Sequence, residues 1–221
     1  MMIKPILFNT EMVRAILEGR KTCTRRVIKP QWEECPACKY VHNEYIYDKM
    51  AENVYCARCG CPLEPERRSP YQPGDILYVR ETWQYLYELD GNEQVVEGTG
   101  KYYYAATDTI PFDTYVDENG VKHDHAPWKP SIHMPKEAAR IWLKVTDVRV
   151  ERLQDITADD IRSEGLSSIA VHAGNMEIAL KEWKKLWNST IKKSDLDRYG
   201  WDANPWVWVI EFERCEKPQE V

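Results

Sequence analysis

"ILEGRKTCTRR", residues 16 to 26, is the stretch from which the rest of the chain is read. It follows "NTEMVRAILEG", where Met12, Val13, Ile16 and Leu17 recur at helical spacing, Asn9 or Thr10 stands where a cap is needed, and Gly19 can end the turn. Arg20, Lys21, Arg25 and Arg26 then crowd together, with Thr22 and Thr24 between them, in a chain of formal net charge -6. Such a concentration of one sign lowers the energy of a bound phosphate or carboxylate; the competing reading is a loop solvated by water. Lys21 and Thr24 are three positions apart, so a turn after the helix can aim both at one pocket. A lysine among other cations is easier to deprotonate, and its neutral amine can take a proton from a nearby hydroxyl. The alternative leaves Lys21 charged in solvent and Thr24 hydrogen-bonded locally.

Composition bounds what surrounds this stretch. The 221 residues, 43% of them hydrophobic, suffice for one large domain carrying an insertion. No apolar run approaches the roughly 18 residues of a membrane span, and the N-terminus lacks the apolar core of a signal peptide, so the expected setting is cytoplasmic with no membrane partner. The 36 acidic residues against 30 basic ones disfavour a surface that coats nucleic acid broadly, yet leave room for a small basic cleft.

Residues 31–72 change character, with Cys, Pro and Tyr in place of aliphatic runs, and read as an inserted module. "CPAC" and "CARCGC" place Cys35 and Cys38 on one turn and Cys56 and Cys59 on another. Paired thiolates of this kind converge on a tetrahedral zinc ion, with Cys61 as the alternate fourth ligand. Four thiolates close the coordination shell, so the expected cofactor is a structural Zn. His42 is a remote alternative ligand, and His123, His125 and His133 sit in a Pro- and Trp-rich loop that reads as ordered but irregular.

After the insertion, "PGDILYVRETW" turns into a strand on which Arg80 and Glu81 face opposite sides and Trp83 shares the side of Glu81. Trp83 and Trp128 offer a platform for a base, against the plainer reading of core packing. "RIWLKVTDVRVERL" reads as a strand and a helix begins near Thr157. The run "NMEIALKEWKKLWNSTI" carries Trp183 and Trp187 on one face of a late helix, and "WVWVIEFER" closes the chain as a strand. Glu182 on the late helix is a candidate general acid or base, or an ordinary surface partner of Lys184 or Lys185. Strands outnumber helices, so the fold class is α+β.

Taken in order, "ILEGRKTCTRR", "GDILYVRETW", "HAPWKPSIHMPKEAARIWLKVTDVRVERLQDI", the late helix and "WVIEF" resemble the ASCH family of the PUA-like superfamily, and in particular its larger, phage-associated branch. The resemblance covers most of residues 3–30 and 73–214. It implies a PUA-like β-barrel with peripheral helices, formed by 1–30 and 73–221 and interrupted by the zinc knuckle. It also implies a cleft for RNA or a modified, nucleotide-derived ligand. A smaller branch hydrolyses the acetyl amide of N4-acetylcytidine; its active-site lysine and threonine match Lys21 and Thr24, and its glutamate most nearly matches Glu182. In that mechanism Lys21 helps deprotonate Thr24, whose oxygen attacks the acetyl carbonyl. The ligand rim expected here is Arg25 or Arg26, Arg80, Glu81, Trp83 and Trp128; the remaining implied role is that of a phage-associated structural or interaction protein.

Overall fold

The computed structural model describes residues 1–31, 35, 37–39, 45–50, 53–62, 69–92, 94–110, 115–116, 121–123, 127–166 and 175–219. Its frame is a five-stranded mixed sheet. In sheet order the strands are β1 (Ile3–Leu7), β5 (Ile76–Arg80), β10 (Trp142–Arg152), β11 (Trp206–Cys215) and β2 (Cys23–Val27). β1 runs parallel to β5, while β10 and β11 form a long antiparallel hairpin. The register slips between Val145 and Asp147, a bulge that changes which face each side chain takes. Leu143 and Val145 before it, and Val148 and Val150 after it, can therefore all point into one core.

That core lies on the inner side of the sheet. Trp206, Trp208, Ile210 and Phe212 of β11 meet Leu77 and Val79 of β5 there, and helix α1 (Thr10–Leu17) covers the assembly with Val13 and Ile16. The Asn9 side chain accepts from the Met12 N–H and caps the helix, as the sequence predicts. On the outer side two separate clusters form. Cys23, Val207 and Val209 pack under α2 (Ala158–Ser163) and α3 (Met176–Thr190), the latter supplying Trp183 and Trp187; the short α4 (Leu196–Tyr199) follows. Ile76 and Trp142 pack instead under Trp83, Met134 and Ala138, beside the ribbon of β6 (Trp83–Leu86) and β7 (Lys101–Tyr104). A further two-stranded piece is formed by β8 (Tyr115–Val116) and β9 (Lys122–His123).

The expected closed barrel is not formed: the sheet is open, with β1 and β2 as its edges. The reason is visible at the gap. Arg26 of β2 donates from its guanidinium to the carbonyl of Leu7 at 2.8 Å and lies 5.5 Å from the centre of the Phe8 ring. A long side chain thus spans the seam that a backbone ladder would close, satisfying the last carbonyl of β1 without pairing the two strands.

Residues expected as the insertion fold into the hairpin of β3 (Tyr45–Asp48) and β4 (Asn53–Cys56). Val54 is fully buried in the main core, the Tyr47 ring meets Trp208 edge-on at 5.3 Å, and its hydroxyl donates to Gln72. The hairpin therefore shares the sheet's core. Among the described residues no helix is long and apolar enough to cross a membrane.

Candidate functional site

The basic stretch does form a centre, but a buried one. Arg20 and Lys21 leave α1 with both backbone N–H groups donating to the carbonyl of Ala15, and Lys21 then pairs across to Glu164 at the end of α2. Its side chain is completely inaccessible, and the ammonium donates to Glu164 Oε2 at 2.7 Å, the Glu164 carbonyl at 3.1 Å and the Cys23 carbonyl at 2.8 Å. All three donors of the charged form are thereby used. Gly165 makes this approach possible: at φ 92°, a Cβ there would stand 2.9 Å from Lys21 Cβ and 2.8 Å from Ala15 Cβ.

Arg25, equally inaccessible, reaches the same glutamate at 3.4 Å and also Glu151 at 3.1 Å and Asp160 at 3.2 Å. Burial alone would weaken its charge, yet Glu164 and its neighbours hold the guanidinium above its ordinary value. Its Nε nevertheless has no hydrogen-bond partner among the described residues. Arg149 continues the network, bonding Glu151 and Glu211 and standing 3.5 Å from Asp160. Burial would raise Asp160, but the Thr157 hydroxyl and N–H, with Arg25, hold its carboxyl below the usual range. Beneath Arg25, burial and the Glu164 charge push the Cys23 thiol up to about 12. Thr24 is buried on the next position of β2, and its hydroxyl has no hydrogen-bond partner among the described residues.

Two clefts flank this network. One, of about 350 Å³, is bounded by Asn9, Arg14, Arg20, Glu164, Gly165 and Leu186; the other, of about 270 Å³, by Cys23, Asp160, Ser163 and Glu211 among others. The first has the size of a small-ligand site and is lined by Glu164, the carboxylate that Lys21 and Arg25 share.

The remaining expected site residues stand elsewhere. Glu182 is half-buried on α3 and its carboxylate makes no ion pair or hydrogen bond among the described residues, whereas the carboxylate that meets Lys21 is that of Glu164. Arg26 bridges the sheet edges, and Arg80 donates to the Met134 carbonyl at 2.7 Å. Glu81 is buried and held by both arms of Arg140 at 2.9 Å, with the guanidinium 4.0 Å from the centre of the Tyr104 ring. Trp83 is buried under Lys129, while Trp128 is exposed. Sequence reasoning missed Glu164 because its partner lies 143 positions away. The signal was "SEG": an acid followed by a glycine at the end of a short capped helix.

The cysteine hairpin builds the second candidate centre. Its two turns repeat one geometry. The Cys38 N–H donates to Cys35 Sγ and the Cys59 N–H to Cys56 Sγ, each at 3.4 Å, and the next residues, Lys39 and Gly60, have φ of 55° and 67°. Burial would raise the Cys56 thiol, but the N–H groups of Cys59 and Arg58 bring it below its ordinary value, as suits a ligand thiolate. Cys35, Cys56, Cys59 and Cys61 lie with their sulfurs within 4.8 Å of one another, and Cys38 Sγ is 3.8 Å from Cys56 Sγ. Four cysteines therefore cluster closely enough to hold one metal ion. His133 is exposed, and His42 and His125 lie outside the described residues.

No family model and no curated protein matches the chain. Among solved structures it is similar to an ASCH domain from Lactobacillus crispatus JV V101, at 11% identity and a TM-score of 0.36, over 96% of this chain and 79% of that one.

Proposed function

We propose that the chain recognises a nucleoside or nucleotide-derived ligand, free or within RNA, at the Lys21–Arg25–Glu164 centre. One observation carries the reading: two inaccessible cations share one glutamate, Glu164, which lines a cleft of small-ligand size, while the Nε of Arg25 has no hydrogen-bond partner among the described residues. Burying such charges costs more than their attraction returns unless every donor is met, so an incompletely satisfied cluster beside a cleft marks a site kept for binding. The sequence motifs that resemble ASCH domains point to the same ligand class, and the reduced cysteines suit a cytoplasmic setting.

A calorimetric titration tests it. Cytidine, N4-acetylcytidine and cytidine monophosphate are added to the parent chain and to Glu164→Gln. Saturable binding weakened at least about tenfold by the substitution is expected, the cost of losing one charged hydrogen bond. Absence of saturable binding by all three ligands overturns the reading.

A second reading, amide hydrolysis of N4-acetylcytidine, is favoured by the 2.7 Å Lys21–Glu164 contact and the unpartnered Thr24 hydroxyl. Glu164 takes a proton from Lys21, the neutral amine takes the Thr24 proton, and Oγ1 attacks the acetyl carbon. Collapse expels the cytidine amine, which receives its proton from Glu164. Water then cleaves the acetyl ester, releasing acetate and restoring Thr24. Thr24→Ser retains more turnover than Thr24→Ala if this holds, and mass-resolved product analysis reads it.

Zinc is the ion proposed for the cysteines, with Cys35, Cys38, Cys56 and Cys59 as ligands. A tetrahedron with Zn–S of about 2.3 Å has S···S edges of about 3.8 Å. Cys35–Cys59 at 3.7 Å and Cys38–Cys56 at 3.8 Å fit as edges joining the two turns, whereas Cys35–Cys61 at 3.0 Å is too short for two ligands of one ion. The ion would crosslink the two turns structurally, and no open position is left for chemistry.

A further inference from the structure

The cysteine hairpin holds one sulfur more than a tetrahedral ion can use. Cys35, Cys38, Cys56, Cys59 and Cys61 gather there, and no disulfide joins them. With Cys35, Cys38, Cys56 and Cys59 on the proposed zinc, Cys61 is the surplus thiol. It is not a remote one. Cys61 Sγ stands 3.0 Å from Cys35 Sγ, nearer to it than Cys59 Sγ at 3.7 Å.

The backbone, rather than any side-chain bond, puts Cys61 there. The Cys56 N–H donates to the Cys61 carbonyl at 3.0 Å, the Gly60 N–H donates to the Cys56 carbonyl at 2.9 Å, and Tyr55 pairs with Pro62 just beyond. Gly60 makes the reversal at φ 67°. The turn therefore survives a change of the Cys61 side chain.

Exposure divides the two sulfurs. Cys35 is fully buried, whereas Cys61 is half-buried and open to a small oxidant from solvent. Cys59 is exposed as well, but as a ligand its electron pair is committed to the ion. A thiol oxidised beside a second sulfur is resolved as a disulfide, and closing 3.0 Å to an S–S bond of roughly 2.0 Å takes about 1 Å of travel.

We propose that Cys61 and Cys35 form a peroxide-sensitive pair whose closing takes Cys35 away from the metal. The Cys61 sulfur attacks one oxygen of hydrogen peroxide, the O–O bond breaks, and the thiol proton leaves with the departing oxygen as water. Cys61 is then a sulfenic acid. The Cys35 thiolate attacks that sulfur, the S–O bond breaks, and hydroxide departs as the disulfide forms. The electron pair given up by the two sulfurs reduces one peroxide. Cys38, Cys56 and Cys59 are the ligands left, and the vacated position admits water or a chelator. A dithiol reductant reverses the step by exchange. The proposal rests on the zinc reading for its effect and on the Cys35–Cys61 contact for its chemistry.

The test uses the full zinc-loaded chain. Hydrogen peroxide is added in the presence of a colorimetric zinc chelator, and disulfides are located by peptide mass mapping after the remaining thiols are alkylated. The parent should lose its zinc as the Cys35–Cys61 disulfide appears, and dithiothreitol with added zinc should restore the starting state. Untreated Cys61→Ser should hold zinc as the parent does, and its peroxide-driven release should be lost. Untreated Cys59→Ser should fail to hold zinc. Release from Cys61→Ser as fast as from the parent overturns the inference, as does a parent in which peroxide joins other cysteines or leaves Cys35 and Cys61 as thiols. Loss of zinc from untreated Cys61→Ser makes Cys61 a ligand and also overturns it. A parent that holds no zinc yet forms the Cys35–Cys61 disulfide leaves the pair standing and takes down the zinc reading.

Discussion

Glu81 and Glu164 are both buried glutamates that meet arginine. Their surroundings separate them. Glu81 gives both oxygens to the two arms of one guanidinium, Arg140, which is backed by Tyr104 and is itself 28% exposed. Every acceptor is matched in one planar fork, the arrangement that makes a carboxylate–arginine pair a clasp. Glu164 divides its oxygens between Lys21 and Arg25, both inaccessible, itself lines a cleft, and leaves the Arg25 Nε without a partner among the described residues. Two buried acids of one sequence type can thus be a finished structural bond and an unfinished binding centre. The difference lies in how many donors converge and whether solvent or a ligand can complete them.

The largest expected effect sharpens the contrast by adding a third polar centre, one completed from outside the chain. Chelation of the proposed zinc, or Cys35→Ser, should loosen the cysteine turns and the β3–β4 hairpin while the β10–β11 hairpin persists, because the ion would add folding energy there beyond the packing of Val54 and Tyr47 on the sheet's core. Metal analysis should find one ion per chain, and amide exchange should rise in 53–56 before it rises in 206–215.

Next in size is the comparison itself. Glu164→Ala should cost about 3–5 kcal/mol, since it strands two buried cations. Glu81→Ala should cost less, about 2 kcal/mol, because Arg140 can turn to water and loses mainly a charged hydrogen-bond pair. Denaturant titration of both variants checks the order, and equal losses would break the distinction.

A smaller effect separates the two centres by pH. The Asp160 carboxyl is depressed in the fold, so the folded state resists its protonation. Its stabilisation is therefore present above the ordinary carboxylate value of about 3.9 and is lost as pH falls through the lower folded value. Asp160→Asn should flatten part of the stability profile below about pH 4, with Asp75, held low against burial by Lys4 and the N–H groups of Met2 and Gln72, still contributing there. Smallest of all, Cys23, held at about 12 by burial and by Glu164, should stay unmodified by a thiol alkylating reagent at pH 8 until the protein unfolds.

How much of this was legible follows the range of each interaction. Local patterns read directly: the Asn9 cap, the stop at Gly19, the paired turns of Cys35 and Cys56, and Thr157 as a helix start, where the structure has a full capping box with Asp160. The closeness of Lys21 and Arg25 was also legible, being local. Their partners were not, because Glu164 enters from a short helix whose position depends on the whole sheet. A basic cluster in sequence therefore read as a basic surface, when tertiary packing neutralises it with Glu151, Asp160 and Glu164. The barrel failed for a related reason: nothing in "CTRRV" tells that Arg26 will bond Leu7 across the seam.

The central claim is that Lys21, Arg25 and Glu164 are assembled for binding rather than for stability. Its most direct test replaces all three at once with apolar residues of similar size, as Lys21→Met, Arg25→Met and Glu164→Leu, and follows thermal unfolding together with cytidine binding. The account predicts a cooperative melt at or above that of the parent, since buried ion networks rarely out-stabilise well-packed apolar residues, and loss of saturable cytidine binding. A folded triple variant that binds cytidine as tightly as the parent would contradict it.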